Sequence, residues 1–233
     1  NVSREMLQNN PVVSKIRKNL VSRILGELAD MAQNDPAKYR QFWTQFGPVM
    51  KEGIHTDFEN KDKMIELLRF QSSLGASADE LVSLKQYVER MKTDQKEIYY
   101  ITGENREQAE KSPHLEVFKE KGVEVLYLLD PIDEWIVNDI FKYDEKQLKS
   151  ITKGDLDLGE INKEEQEQKK KAESEYKKFS ERVKNILADQ IKDVRFSTRL
   201  KDSPACLVAD EQDMGAHMEK IMKAMGQEVP VSK

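Results

Sequence analysis

The chain has 233 residues, 38% of them hydrophobic and 35% charged, with a formal net charge of −5. That length and apolar content suit one large or two smaller folding units with packed cores, and the acidic balance argues against a dedicated nucleic-acid binder. No apolar run approaches the roughly 20 residues that cross a bilayer, and the single cysteine, Cys206, rules out an internal disulfide and suits a reducing compartment.

The chain opens Asn1-Val2-Ser3-Arg4-Glu5-Met6-Leu7-Gln8, without an initiator Met or a signal or transit pattern, and ends Pro230-Val231-Ser232-Lys233. It reads as a piece of a longer protein. Ser3, Arg4 and Gln8 put a hydroxyl, a permanent cation with five donors and an amide close together, a grouping suited to gripping phosphate. A solvated arginine in a polar loop would use the same residues.

From Pro11 the apolar residues Val13, Ile16, Leu20, Ile24, Leu28 and Met31 recur every three or four positions, which predicts an amphipathic helix to about Gln33 with that stripe inward. Asn34-Asp35-Pro36 stops it and starts a second helix, with Asp35 as cap and Pro36 at the first helical position. Tyr39, Phe42, Trp43 and Phe46 would pack this helix across the first, and Gly47-Pro48 is expected to break it. A third short helix over 61–70 turns Met64, Ile65, Leu67 and Leu68 inward, completing a three-helix coil over 11–70. Residues 71–79 read as a surface connection.

Ser83-Leu84-Lys85-Gln86 is a capping box, opening a helix that carries Tyr87, Val88 and Met91 to about Thr93. Strands follow at Ile98–Thr102, 123–129 and 147–152. Helices between them start at Ser112-Pro113, with Leu115 and Phe118 inward and Gly122 as stop, and at Asp130-Pro131, with Ile132, Ile136 and Ile140 on one face. This alternation predicts a small α-β-α unit over 83–152 with a short parallel sheet and right-handed crossovers. Residues 153–163 read as a linker, and 164–187 as a long helix that is nearly all charged at first and gains Tyr176, Phe179, Val183, Ile186 and Leu187 later. Alternation at Val194, Phe196, Thr198 and Leu200 suggests a half-buried strand, Asp202-Ser203-Pro204 a turn, and 205–209 a returning strand in which Cys206 would be buried. A last helix over 213–225, stopped by Gly226, carries Met214, Met218, Ile221, Met222 and Met225, four of the nine methionines. An ordinary packed helix shows the same spacing, but flexible thioethers also suit a surface that adapts to many partners. The fold class is therefore mixed α/β: a three-helix coil, a small α-β-α sandwich, then the start of a second α+β domain at 164–233.

No Gly-x-Gly-x-x-Gly, Gly-x-x-x-x-Gly-Lys, His-Glu-x-x-His, Cys-x-x-Cys or Gly-x-Ser-x-Gly occurs, and His55, His114 and His217 are far apart in sequence. No metal site is expected. Asp133-Glu134 falls in a first helical turn, where the helix dipole accounts for paired carboxylates without catalysis.

Several blocks resemble one family in order. Asn1-Val2-Ser3-Arg4-Glu5-Met6-Leu7-Gln8 looks like the catalytic loop in the middle domain of the ninety-kilodalton heat-shock chaperones (heat shock protein 90 family), in their bacterial form, high-temperature protein G. Tyr39-Arg40-Gln41-Phe42-Trp43 with Phe46-Gly47, Leu67-Leu68-Arg69-Phe70, Tyr87-Val88-Glu89-Arg90-Met91, Ile98-Tyr99-Tyr100-Ile101-Thr102-Gly103, Lys111-Ser112-Pro113, Glu124-Val125-Leu126 and Asp130-Pro131-Ile132-Asp133-Glu134 follow. The resemblance covers about residues 1–230. It implies a middle-domain portion over 1–152, with residues 1–10 as the catalytic loop, and the beginning of a C-terminal domain over 164–233. The nucleotide-binding domain would precede Asn1, and the dimerisation helices would follow Lys233.

What the resemblance implies is an ATP-dependent, homodimeric stress-response chaperone of the cytoplasm, or of an organelle, that binds unfolded or partly folded client proteins. By this likeness Arg4 and Gln8 reach the γ-phosphate of ATP, held with Mg²⁺ in the other domain, so the chain alone would bind no cofactor and would not be an enzyme. Trp135, Asn138, Met214, Met218, Ile221 and Met222 would be the client-binding residues. Partners would be clients, the protein's own N-terminal ATP-binding domain and a second copy, with neither nucleic acid nor membrane. The competing classes are a non-enzymatic charged-helix interaction module, in which Arg4 is incidental, and a small α/β enzyme, which the missing phosphate motifs disfavour.

Overall fold

The computed structural model describes residues 10–154, 163–187, 190–197, 200–210, 213 and 216–226, with the backbone alone described at 163–174 and 216. Helix α1 (Pro11–Asn34) starts where the Asn10 side chain accepts the Val12 amide at 2.9 Å, and α2 (Pro36–Thr56) where Asp35 accepts from Lys38 at 3.1 Å. Helix α3 (Lys61–Leu67) closes the coil. The expected break at Gly47-Pro48 does not occur, and α2 runs through both residues. Proline removes one amide donor, a local cost, whereas Tyr39 and Trp43 before it and Lys51 and Ile54 after it are all buried, so packing on both sides holds the helix straight through. Gly47 lies against the Trp43 ring, where a Cβ would come within 3.0 Å of Cε2.

Only the C-terminal end of the α1 apolar stripe, Leu28 and Met31, reaches the buried face. Leu25 and Leu28 are buried, with Val21, Met31 and Ala32 packed beside them, while Val13, Ile16, Leu20 and Ile24 are 40–56% exposed. At 3.6 residues per turn the bare line lies roughly 100° around the helix from the buried one, so α1 has two apolar faces and the coil covers one. Phe46, expected to pack across α1, is 52% exposed and stacks on Phe42, with ring centroids 5.3 Å apart.

The second unit is a five-stranded sheet in the order β1-β3-β2-β5-β4. Strands β2 (Ile98–Thr102), β3 (Leu126–Leu128) and β5 (Lys146–Ser150) are parallel, with Tyr100 opposite Leu126 and Ile98 opposite Leu148. Two edge strands were not foreseen: β1 (Gln71–Ser72), within the expected surface connection, and β4 (Lys142–Tyr143), both antiparallel to their neighbours. The β4–β5 turn places Asp144 and Glu145 at φ 46° and 63°, the left-handed geometry of a tight hairpin, at two residues that carry no glycine signal.

Helix α4 (Leu84–Glu89) has the capping box, with Ser83 and Gln86 bonded reciprocally. Helices α5 (Arg106–Glu110) and α6 (Glu116–Lys121) follow, the latter ended by Gly122 at φ 59°, and α7 (Asp133–Asp139) lies between β3 and β4. Alternation along the strands splits the core in two. Ile98, Tyr100, Leu126 and Leu128 join the coil, α4 and α7, while Tyr99, Ile101, Val125 and Tyr127 face Leu115, Val117 and Phe118. The Tyr87 hydroxyl bridges layers, donating to the Glu124 carbonyl at 2.7 Å and accepting the Tyr99 amide at 3.0 Å.

Beyond the sheet, helix α8 (Lys163–Ile186) and helix α9 (Ala216–Ala224) form as expected, but the two strands proposed between them do not. Residues 193–197 and 205–208 have no regular structure, Thr198 lies outside the described residues, and Ala209 makes only an isolated bridge to Lys153. Alternating side chains give a strand a face but no hydrogen-bonding neighbour, and none is supplied among the described residues. Cys206, expected to be buried, is half-buried. Most of the expected linker, 155–162, lies outside the described residues.

Coil and sandwich meet at Lys51. Its ammonium, 4% exposed, lies 2.6 Å from Asp130 Oδ2 and 2.7 Å from Asp133 Oδ1, and 5.2 Å from the Phe70 ring centroid. Asp133 Oδ2 accepts the Asp130 amide at 3.0 Å, while Oδ1 has no well-aligned hydrogen bond. Burial therefore pushes the Asp133 carboxyl up, and the Lys51 charge offsets this in part. Truncation by Lys51→Ala leaves a buried carboxylate without its cation and is expected to lower unfolding free energy by about 3–5 kcal/mol in urea titrations. Lys18→Ala, which removes an exposed pair with Glu59, should cost less than about 1 kcal/mol. Equal costs would show that the Lys51 contact does not hold the two units together.

Candidate functional site

The site is built from α7 outward. Ile136 and Ile140 are buried in the coil-side core and fix the helix's rotation. With them inward, Asp133 points to Lys51, Glu134 to the C-terminal segment, Trp135 is half-buried and Asn138 is exposed. Successive residues of a helix differ by about 100° in direction, so three neighbours reach three different environments.

Helix α9 meets α7 through a side-chain pair. His217 Nδ1 is 3.0 Å from Glu134 Oε1, with both side chains nearly buried, and Lys220 Nζ is 2.9 Å from Glu104 Oε1. The Lys220 hydrogen bond and charge hold the Glu104 carboxyl below the usual carboxylate range. Met218, Ile221 and Met222 are half-buried and Met225 is 59% exposed.

A second contact anchors the chain leading to α9. The Glu116 carboxylate, at the start of α6, accepts the backbone amides of Lys201 at 2.6 Å, Asp202 at 3.0 Å and Ser203 at 3.3 Å, together with the Ser203 hydroxyl. These donors, the Ser203 hydroxyl first and the Lys201 amide next, lower its pKa to about 2. Lys201 Nζ lies 2.9 Å from Glu120 Oε2, and the Ala209 amide and carbonyl bond to the Thr152 carbonyl and Gly154 amide.

Of the residues singled out from sequence, Arg4, Gln8 and Met214 lie outside the described residues. Trp135 and Asn138 on α7, and Met218, Ile221 and Met222 on α9, are carried by two helices that the Glu134–His217 contact ties together. Trp135, expected to be exposed, is half-buried. Sequence reasoning saw Asp133-Glu134 but assigned both to the helix dipole, and it treated His217 as isolated. Nothing local pairs two residues 83 positions apart. Glu116 carried no signal either, since its partners are mainly backbone amides of a distant turn.

Chemically, the arrangement offers an indole, an exposed carboxamide and three half-buried flexible or branched apolar chains, rimmed by ion pairs. It suits contact with apolar polypeptide better than covalent chemistry. Among the described residues no group of three or more His, Cys, Asp or Glu side chains is placed to hold a metal ion, and no helix is long and apolar enough to cross a membrane.

A family model described as Hsp90 protein matches residues 1–231. Three proteins called chaperone protein HtpG are similar over essentially the whole chain. That of Ruthia magnifica subsp. Calyptogena magnifica is 52% identical over 233 residues, covering 100% of this chain and 38% of the relative. The Nitrosococcus oceani protein is 48% identical over 231 residues, 99% of this chain and 36% of the relative. The Chromobacterium violaceum protein is 48% identical over 234 residues, 100% and 37%. The chain thus spans under two-fifths of the length of these relatives.

The depressed Glu116 pKa means that the contact with the turn is fully formed above 4.5, the ordinary value, and is lost as pH falls through about 2. Amide NMR shifts of Lys201, Asp202 and Ser203 should therefore stay flat through pH 4.5. A titration centred there would show that the turn does not grip the carboxylate.

Proposed function

The chain belongs to the Hsp90 protein family, and from that premise we propose that it is the part of an ATP-driven chaperone that follows the nucleotide-binding domain and contributes to holding partly folded client proteins. The observation that carries the reading is the family match across residues 1–231. The pairing of α7 with α9 through Glu134 and His217 supports its client-binding half, because it gathers Trp135, Asn138, Met218, Ile221 and Met222 on adjoining helices. Thioether and indole groups supply adaptable apolar contact, and the surrounding charges keep such a surface dispersed in water.

The bare face of α1 supports the view that more of the protein packs here. Val13, Ile16, Leu20 and Ile24 are exposed, and a shallow groove of about 340 Å³ runs along Leu20, Arg23, Ile24, Glu27 and Leu28. It lies directly after the segment that carries Arg4 and Gln8. In this reading Arg4 donates positive charge to the γ-phosphate of ATP bound by another domain, with Gln8 beside it. Phosphoryl transfer is accelerated chiefly by positioned charge, and a donated arginine contributes about 10³-fold or more where it acts as a finger. The lower end of that range is expected here. The homodimer and the cytoplasmic setting belong to the same proposal.

Arg4→Ala in the intact protein should lower ATP turnover while leaving nucleotide affinity nearly unchanged, since the arginine acts mainly on the reacting state. Steady-state hydrolysis with parallel calorimetry checks both, and undiminished turnover would remove the assigned role. Separately, Met218→Ser with Met222→Ser should weaken binding of a permanently unfolded polypeptide, followed by fluorescence anisotropy. As these side chains are only half-buried, the unfolding free energy should fall by less than the 2–5 kcal/mol typical of one buried large-to-small change. A larger loss with unchanged binding would make them core.

A further inference from the structure

The described residues of 200–210 and 216–224 reach the sandwich through polar contacts. Among the described residues neither apolar core includes a side chain beyond Ile151, and the large apolar residues nearby, Leu207 and Val208, are 80% and 45% exposed. The side-chain contacts lie at two points, the Glu116 cradle for the 201–203 turn with Lys201–Glu120 beside it and the pair of α9 contacts, His217 to Glu134 and Lys220 to Glu104, while between them the Ala209 backbone bonds to Thr152 and Gly154. His217 and Lys220 are three residues apart, so they lie on one side of α9, and both are met by carboxylates of the sandwich.

We infer that Glu116, Glu134 and Glu104 form a two-point carboxylate clasp that seats α9 on α7, and that releasing it changes the spacing of the two helices. The consequence for clients rests on the client-binding reading above; the clasp itself does not. Three features favour a releasable joint. Charge-mediated contacts near a surface are weakened by salt, whereas a packed apolar joint is not. The turn offers three consecutive amides and a hydroxyl to one carboxylate, a concave donor set that holds an anion but has little affinity for a neutral group. Helix α9 has nine residues, below the about 12–15 at which an isolated helix becomes even marginal in water. It therefore depends on its seat, and losing the seat frays the helix that carries Met218, Ile221 and Met222.

The test is hydrogen exchange with mass spectrometry on the intact protein and its Glu116→Gln variant. Glutamine keeps the side chain's length and removes its charge, and Glu116 sits at the surface end of α6, so the sheet should fold as before. Hydrogen bonds to a charged group are roughly twice as strong as those between neutral groups. Exchange across 201–203 should therefore quicken by about tenfold or more. Exchange across 216–224 should quicken with it, while β2 and β3 stay protected. High salt should produce the same pattern in the unsubstituted protein, and Glu134→Gln with Glu104→Gln should release α9 directly. Unchanged exchange of α9 in both variants would overturn the clasp. So would faster exchange throughout β2 and β3, which would make Glu116 a residue of general stability. Client anisotropy measured on the same samples separates the two proposals: a loosened α9 with unaltered client binding leaves the clasp standing and removes the client assignment, whereas a static α9 removes the clasp whatever the client does.

Discussion

The position of α7 depends on one buried ammonium, set beside the buried Ile136 and Ile140. Lys51 belongs to the coil, yet its charge is met by Asp130 and Asp133 at the start of α7, beneath the rings of Phe70 and Trp43. Taking these ions out of water is costly, and their mutual attraction offsets that cost only while the geometry is held. Apolar residues in the same place could slide over one another with little change in energy. An ammonium between two carboxylates cannot, so the pair fixes how α7 lies against α2. Once Asp133 is committed to Lys51, Glu134 is turned toward α9 and Trp135 away from both. The chain of dependence runs from the coil, through one ion pair, to the helix that carries half of the candidate client surface.

Adjacent carboxylates therefore do unlike work. Asp133 faces a cation in a dry interior, where burial pushes its pKa up. Glu134 meets a histidine at the margin of a second segment, and Glu116, with solvent access and four donors, is held down to about 2. Their differences come from what each faces rather than from residue type, which is why reading Asp133-Glu134 as a dipole-stabilised pair was chemically sound and still missed both roles.

Local rules found most of the elements. The Ser83–Gln86 box, Asp35 before Pro36, Gly122 after α6 and the apolar runs at Ile98–Thr102 and 123–129 are short-range signals, and each marks an element that formed. The misses share a cause, which is that the deciding partner is distant. Pro48 stays helical because Lys51 and Ile54 are buried beyond it. Gln71–Ser72 becomes a strand because Tyr127 and Leu126 offer a free edge, whereas 205–209 has comparable residues and one bridge. The family likeness placed Trp135, Asn138 and the α9 residues together. The Glu134–His217 contact that joins their helices was not readable, since a pairing across 83 positions leaves no periodicity to detect.

Two surfaces remain, and their chemistry assigns them different lifetimes. The bare stripe of α1 is aliphatic, Val13, Ile16, Leu20 and Ile24, and each such side chain gains about 1.5–3 kcal/mol on full burial. Gains of that size, which salt does not weaken, suit a face that stays covered once it is packed. The seat of α9 is carboxylates against a histidine, a lysine and backbone amides, and its outer pairs, Lys220 with Glu104 and Lys201 with Glu120, are exposed enough for solvent to compete with them. A permanent apolar contact at one end and a reversible ionic one at the other would let coil and sandwich move as a rigid body while α9 opens and closes against it. An apolar joint in place of Glu116 and Glu134 would hold α9 more tightly, but it would also bury the methionine surface that the reversible contact leaves within reach of a partner.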